Sequence, residues 1–319
     1  MIKSLRSYLC RAGLMACGFF IISETASAQT DADALMIPKN YFCTGIMYGH
    51  SSWKDYWEGT FKRNNGNIGT LSTNSFTYVG NYGITNKLDV IAMAPYIKTN
   101  ASAGTLKGQS GLQDLTVALK YMALNTELGK GIFSAHAIAE GSIPLSNYVN
   151  DFLPVSIGLH SKTASLRGLL NYQVGRFFVA GAGQYVWRAN TSIDRDAYYT
   201  DHLIYSHDVE MPNVSNFLGS FGYRSLKLNV EAIVTKMTTL GGFDIRKNDM
   251  PFASNKMNMT TAGVNLKYNV NGVDGLSLIA GGNYTLAGRN VGQATTVNAG
   301  IFYILAFNSK KVTANTPAK

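Results

Sequence analysis

Ten ionisable side chains stand where a period-two pattern turns them to one face: Asp89, Asp114, Lys120, His136, Glu140, Arg167, Arg188, Lys227, Glu231 and Lys267. Five are basic and four acidic, with His136 besides. Charged groups at membrane depth are costly unless they face an interior where they pair or are hydrated, so the set reads as the lining of a lumen. A near balance of signs fits side chains that cross-link and narrow that lumen, or that wall a solute route, better than a single-sign selectivity ring. His136 and Glu140, four apart, would point the same way along one strand. The five histidines (His50, His136, His160, His202, His207) show no close-spaced ligand motif, so neither metal nor cofactor is expected.

Nucleophilic chemistry on such a chain would take the form of an outer-membrane phospholipase. That needs a Ser, a His and an Asn or Asp on the lipid-facing side near the outer end of the strands. No G-x-S-x-G elbow occurs, and of the histidines only His50 falls on a strand near that end. No catalytic residue is assigned, and the chain is not read as an enzyme. Two other stretches mix apolar, aromatic and charged residues: Gly241 to Phe252, with Phe243, Arg246 and Phe252, and Asp194 to Tyr205, with Tyr198 and Tyr199. Both read as external loops, which either fold inward to line a mouth for apolar solutes or pack only locally.

The elements that would position these groups are strands. Leu115, Val117, Leu119 and Tyr121 alternate with Asp114, Thr116, Ala118 and Lys120; Leu226 to Val234 alternate as cleanly with Lys227 to Thr235. Twelve such segments are expected, at roughly 41–53, 70–82, 88–98, 112–124, 131–142, 163–174, 177–189, 214–223, 226–238, 257–268, 276–286 and 295–307. No segment after the first thirty residues has eighteen consecutive apolar residues, which excludes spanning helices. Short and long connections alternate, the pattern of an all-β, transmembrane, antiparallel up-and-down barrel with short periplasmic turns and long external loops. Tyr82, Tyr121, Tyr172, Tyr223 and Tyr268 would form one aromatic girdle, and Trp53, Trp57, Tyr96, Tyr185, Trp187 and Tyr284 the other.

The ends place the barrel in an envelope. Lys3, Arg6 and Arg11, the apolar run Ala12 to Ile22 and the site Ala26-Ser27-Ala28 read as a signal peptide over residues 1–28. Its removal would lower the formal charge of +9 by two and leave Cys43 as the one cysteine, so no disulfide is expected. Residues 29–40, with Leu35, Met36, Ile37 and Pro38, read as a periplasmic segment and candidate plug. Residues 41–307 read as the barrel and 308–319 as a periplasmic tail. The location is the outer membrane of a Gram-negative bacterium, and the partners are its lipid and lipopolysaccharide, the barrel-assembly machinery and a small apolar solute. The basic balance forms no stripe, so nucleic acid is not expected.

Two stretches carry a family resemblance: Asn81-Tyr82-Gly83-Ile84-Thr85-Asn86-Lys87-Leu88-Asp89-Val90 with Ala94-Pro95-Tyr96, and Ser110-Gly111-Leu112-Gln113-Asp114-Leu115 with Leu119-Lys120-Tyr121. They resemble the outer-membrane proteins described as "Putative MetA-pathway of phenol degradation", similar in role to long-chain fatty-acid channels. The resemblance implies a channel for small hydrophobic or aromatic compounds by passive diffusion, and position alone likens residues 29–39 to the segment that plugs fatty-acid channels. A structural or adhesive barrel with a closed lumen is the first alternative, and an outer-membrane phospholipase the second.

Overall fold

The computed structural model describes residues 33–246 and 249–307; the expected signal peptide and tail lie outside the described residues. Twelve strands form the wall: β1 (Tyr41–Trp53), β2 (Leu71–Thr85), β3 (Leu88–Ala101), β4 (Asp114–Leu128), β5 (Gly131–Pro144), β6 (Thr163–Val174), β7 (Phe177–Arg188), β8 (Asn213–Arg224), β9 (Leu228–Leu240), β10 (Asn258–Asn269), β11 (Leu276–Arg289) and β12 (Thr295–Ala306). Each pairs antiparallel with its neighbours in the chain, and β1 pairs with β12 from Tyr41↔Ala306 to Ser52↔Thr295, which closes the barrel. Closure leaves no unpaired edge, the condition for a sheet to stand in lipid.

Period two separates two unlike faces. Ile46, Leu166, Leu170, Phe217, Phe221, Val264, Val297 and Ile301 are exposed on the outside, while Cys43, Val79, Ile91, Ala118, Ile138, Leu169, Phe302 and Ile304 are buried inside. A continuous exposed apolar belt around a closed sheet is the surface of a membrane-spanning barrel. At the end with short turns, Tyr82 and Phe42 each lie with ring centroids 6.5 Å from Phe307, and Phe177 meets Tyr223 at 5.6 Å.

The strand positions follow the alternation to within a few residues, and the departures have local causes. β4 carries a register shift between Met122 and Leu124, so its parity reverses and the strand runs on to Leu128. β11 extends to Arg289, which leaves only residues 290–294 as the last connection at the loop end, so the expected strict alternation of short and long fails there. Trp53 and Trp57 do not join a girdle. Trp57 is buried and donates its backbone N–H to Val291 O at 2.9 Å, because residues 55–64 fold into a small hairpin (Asp55–Glu58 with Phe61–Asn64) over the barrel mouth. Tyr96, Tyr185, Trp187 and Tyr284 do face outward.

Candidate functional site

Inside the turn end, the chain before β1 crosses the lumen. Ile37 is fully buried against Cys43, Val79, Phe302 and Ile304, and Ala34 reaches the opposite wall at Ile91, Ala118, Ile138 and Leu169. Two ionisable residues of the wall hold its backbone. The Ile37 N–H donates to Asp89 Oδ2 at 2.9 Å, and Lys120 Nζ donates to Leu35 O at 2.7 Å and to Asp33 Oδ1 at 3.1 Å. Lys120 has no exposed side-chain surface, so its charge depends on these partners. Lys39 N–H to Asn86 Oδ1 and Asn40 N–H to Gly83 O, at 2.9 and 2.8 Å, tie the segment to the β2–β3 turn. A Cβ at Gly83 would lie 2.6 Å from Ile37 O, so only glycine lets the two backbones approach there.

Above this crossing a polar ladder spans β5 to β8. Arg167 Nη2 lies 3.9 Å from Glu140 Oε2 and donates to Gln184 Oε1 at 3.1 Å. The same Gln184 oxygen accepts from Asn216 Nδ2 at 3.0 Å, and Gln184 Nε2 donates to Ser165 Oγ at 2.9 Å. Nearer the turn end of the same wall, Arg224 stands 4.1 Å over the Phe178 ring and donates to Gln173 Oε1 at 3.1 Å. Asn171 Oδ1 and Asn229 Oδ1 are buried without a protein hydrogen-bond partner among the described residues.

The ten sequence-derived lumen residues therefore divide. Asp89 and Lys120 meet the N-terminal segment, and Glu140 and Arg167 meet each other. His136 is buried beside Ser134, so it shares a face with Glu140 but not a partner. Glu231 and Lys267 face inward near the turn end, and Lys267 is almost fully buried. Asp114 and Arg188 sit at the loop end, where Asp114 Oδ1 accepts the Tyr148 hydroxyl at 2.6 Å. Burial first, and then that contact, hold the Tyr148 phenol well above its ordinary range. Lys227 is the exception. It keeps the inward parity but lies exposed in the 225–227 turn, because β9 begins only at Leu228.

At the loop end three long connections pack on one another. Ile193, Tyr198, Val209, Met211 and Ala253 form a buried cluster, joined by Leu153, Leu159, Ile204 and Phe252. Tyr198 stacks on Phe252 at 5.4 Å, and Phe252 touches Phe243 at 6.2 Å. Arg246 lies 4.2 Å over the Tyr199 ring and bonds the Thr200 carbonyl. The five loop residues taken from the sequence thus come together in one cap. Spacing did not reveal the anchor of that cap. Arg289 Nε and Nη2 donate to the two carboxylate oxygens of Asp244 at 2.7 and 2.5 Å, and Asn290 Nδ2 adds a third bond at 2.7 Å. The Arg289 bonds come first in holding the Asp244 carboxyl below its ordinary value. At this exposure the pair is worth about 1 kcal/mol or less, so the cap rests mainly on its apolar cluster. Asn290, at φ +54°, also accepts the Gly59 and Ile245 N–H groups, joining the 55–64 hairpin to the 241–257 loop. Between that hairpin and that loop lies a cavity of about 230 Å³, walled on one side by Trp53, Tyr56, Ile68, Ile245 and Met250 and on the other by Glu58, Arg63, Asn64, Asn65, Asn67 and Asp249.

Among known proteins, the family model described as "Putative MetA-pathway of phenol degradation" matches residues 65–299. Among solved structures the chain is similar to the COG4313 outer membrane channel from Pseudomonas putida F1. The TM-score is 0.67 at 16% identity, with 87% of this chain and 99% of that one covered. It is more distantly similar to the NanC porin (TM-score 0.43, 10% identity, covering 81% and 98%) and to the TodX monoaromatic hydrocarbon channel (0.43, 11%, 85% and 91%). No curated protein matches it.

Proposed function

The chain belongs to the family described as "Putative MetA-pathway of phenol degradation", and on that premise we propose that it is an outer-membrane channel passing small hydrophobic or aromatic compounds by passive diffusion. The turn end faces the periplasm and the loop end the exterior, in a Gram-negative outer membrane. One observation carries the solute class: the cavity at the loop end sets a ring-sized wall of Trp53, Tyr56, Ile68, Ile245 and Met250 against a polar wall of charged and amide side chains, so a small aromatic compound would meet both an apolar face and polar partners there. A dry cavity of about 150 Å³ already holds benzene, so a single aromatic ring fits. A ring taken up there would pass to the hydrated lumen and leave at the periplasmic end when the segment before β1 moves aside. In this reading residues 33–37 are the stopper, Asp89 and Lys120 its catch, and the Glu140–Arg167–Gln184 ladder a fixed narrowing of the route. Lipopolysaccharide at the outer rim and assembly by the barrel-assembly machinery remain part of the proposal.

The cavity wall provides the test. Met250→Lys sets a charge against the apolar side, at a cost of about 1–3 kcal/mol to an apolar guest. Uptake of a monoaromatic hydrocarbon into liposomes holding the variant should fall about tenfold while leakage of small ions stays unchanged. Unchanged aromatic uptake would remove the cavity from the route.

A further inference from the structure

Outside the barrel, close to the loop end, three side chains form an arrangement that the channel does not use. On β1, His50 and Ser52 share the outward face with the exposed Ile46 and Tyr48. On β2, Asn74 stands directly opposite His50 and Ser72 opposite Ser52. Asn74 Oδ1 accepts two hydrogen bonds, from the Tyr48 hydroxyl at 2.8 Å and from His50 Nδ1 at 2.9 Å. A carboxamide oxygen only accepts, so the proton of the neutral imidazole is on Nδ1 and Nε2 keeps its lone pair. Ser52 is the next residue of this face toward the loop end, one two-residue strand repeat or about 7 Å along, and side chains on strands lean along the strand direction. The proposed chemistry requires a rotation of the imidazole that would carry Nε2 to that hydroxyl. A hydroxyl, a base and a third group that fixes the tautomer of the base are the parts of a serine hydrolase centre.

Two further observations say what such a centre would meet. Directly below it on the same wall runs an apolar groove lined by Ile46, Phe76, Tyr78, Ala299, Ile301 and Tyr303, with the small Ala299 as its floor. Directly beside Asn74 on β3 stands the exposed Lys98. An acyl chain would lie in the groove, the phosphate of its headgroup would meet Lys98, and the ester carbonyl between them would fall level with Ser52 and His50. This is the boundary where aromatic rings give way to polar groups, the depth at which membrane lipids carry their esters.

We propose that Ser52, His50 and Asn74 form an ester-hydrolysing site for phospholipids in the outer leaflet, separate from the channel. Ser52 Oγ adds to the ester carbonyl carbon as its proton passes to His50 Nε2. Collapse of the adduct breaks the ester C–O bond, and the departing lysolipid alkoxide takes that proton. Water then adds to the acyl-serine, giving its proton to His50 Nε2. The fatty acid leaves as the C–O bond to Ser52 breaks, and the serine oxygen recovers the proton. Asn74 touches no reacting atom and is a positioning residue.

The test uses the purified full-length protein in mixed micelles of phosphatidylethanolamine and non-ionic detergent, with heat-modifiable mobility confirming that each variant is folded. Fatty acid release is expected from the wild type and from Ser72→Ala, falling about 10³-fold or more in Ser52→Ala. Asn74→Ala is expected to lower kcat and leave KM in place, because it loses the tautomer and not lipid contacts. A fluorophosphonate should label the Ser52 peptide of the wild type, and Ser52→Ala should leave solute conduction untouched. Release that is absent or equal in wild type and Ser52→Ala overturns the proposal, as does a folded wild type that carries no adduct on Ser52.

Discussion

Deleting residues 29–37 is expected to raise ion and solute flux through the reconstituted barrel by about two orders of magnitude. The segment is held inside by backbone bonds to Asp89 and Lys120, and the side chain of Lys120 is wholly buried. Breaking a buried charged contact by removing one partner costs about 3–5 kcal/mol, so the closed arrangement is favoured over an open one by at least that order. Each 1.4 kcal/mol is about a factor of ten in population, so loss of the catch shifts the balance about a hundredfold or more. Lys120→Met, which keeps the length of the side chain and removes the bonds to Asp33 and Leu35, should move flux the same way by a smaller amount. Wall closure itself is unaffected, since β1 begins at Tyr41 and Asn40 keeps its bonds to Gly83 and Phe307. Single-channel recording across a planar bilayer reads the change. Unaltered conductance in both variants would mean that the segment is packing and not a stopper.

Ile301→Arg is expected to destabilise the folded barrel in lipid by about 2–4 kcal/mol, the cost of an arginine on the lipid face near mid-membrane. Ile301 lies in the middle of β12 and is 60% exposed in the isolated chain, the exposure that lipid covers. Asn298, three positions back and on the lumen parity, supplies the control. Asn298→Arg meets the polar lumen and should cost well under half as much. Urea titration of the protein in phospholipid vesicles, followed by tryptophan fluorescence, measures both. Equal costs would contradict the two-faced wall.

The wall was legible because each strand must satisfy two solvents at once, and that demand writes itself into every second residue. Leu115 to Lys120 and Leu228 to Thr235 show it so plainly that the facing of each side chain could be read without a structure. The alternation carries no information on what crosses the lumen. That Asp89 receives the Ile37 N–H, or that Lys120 bonds Leu35 O, depends on contacts between residues 52 and 85 positions apart, for which the linear pattern has no mark. Lys227 shows the converse limit: parity persists into a turn where no wall remains to face. The cap was legible as composition, through Tyr198, Tyr199, Phe243, Arg246 and Phe252, but its anchor was not. Asp244, in the loop before β10, lies far along the chain from the adjacent Arg289 and Asn290, and they meet only once β11 runs on to Arg289. Cross-strand register explains the outward cluster too. His50 could be placed from sequence, whereas Asn74 becomes its neighbour only through the β1–β2 pairing.

The most direct test of the channel reading is a paired flux measurement on proteoliposomes, comparing a monoaromatic hydrocarbon with a sugar of similar molecular size, for the wild type and for the protein lacking residues 29–37. The account predicts that the aromatic enters faster than the sugar in both, with the deletion raising its rate. Sugar permeation equal to that of the aromatic in both proteins would contradict it and mark the barrel as a general porin.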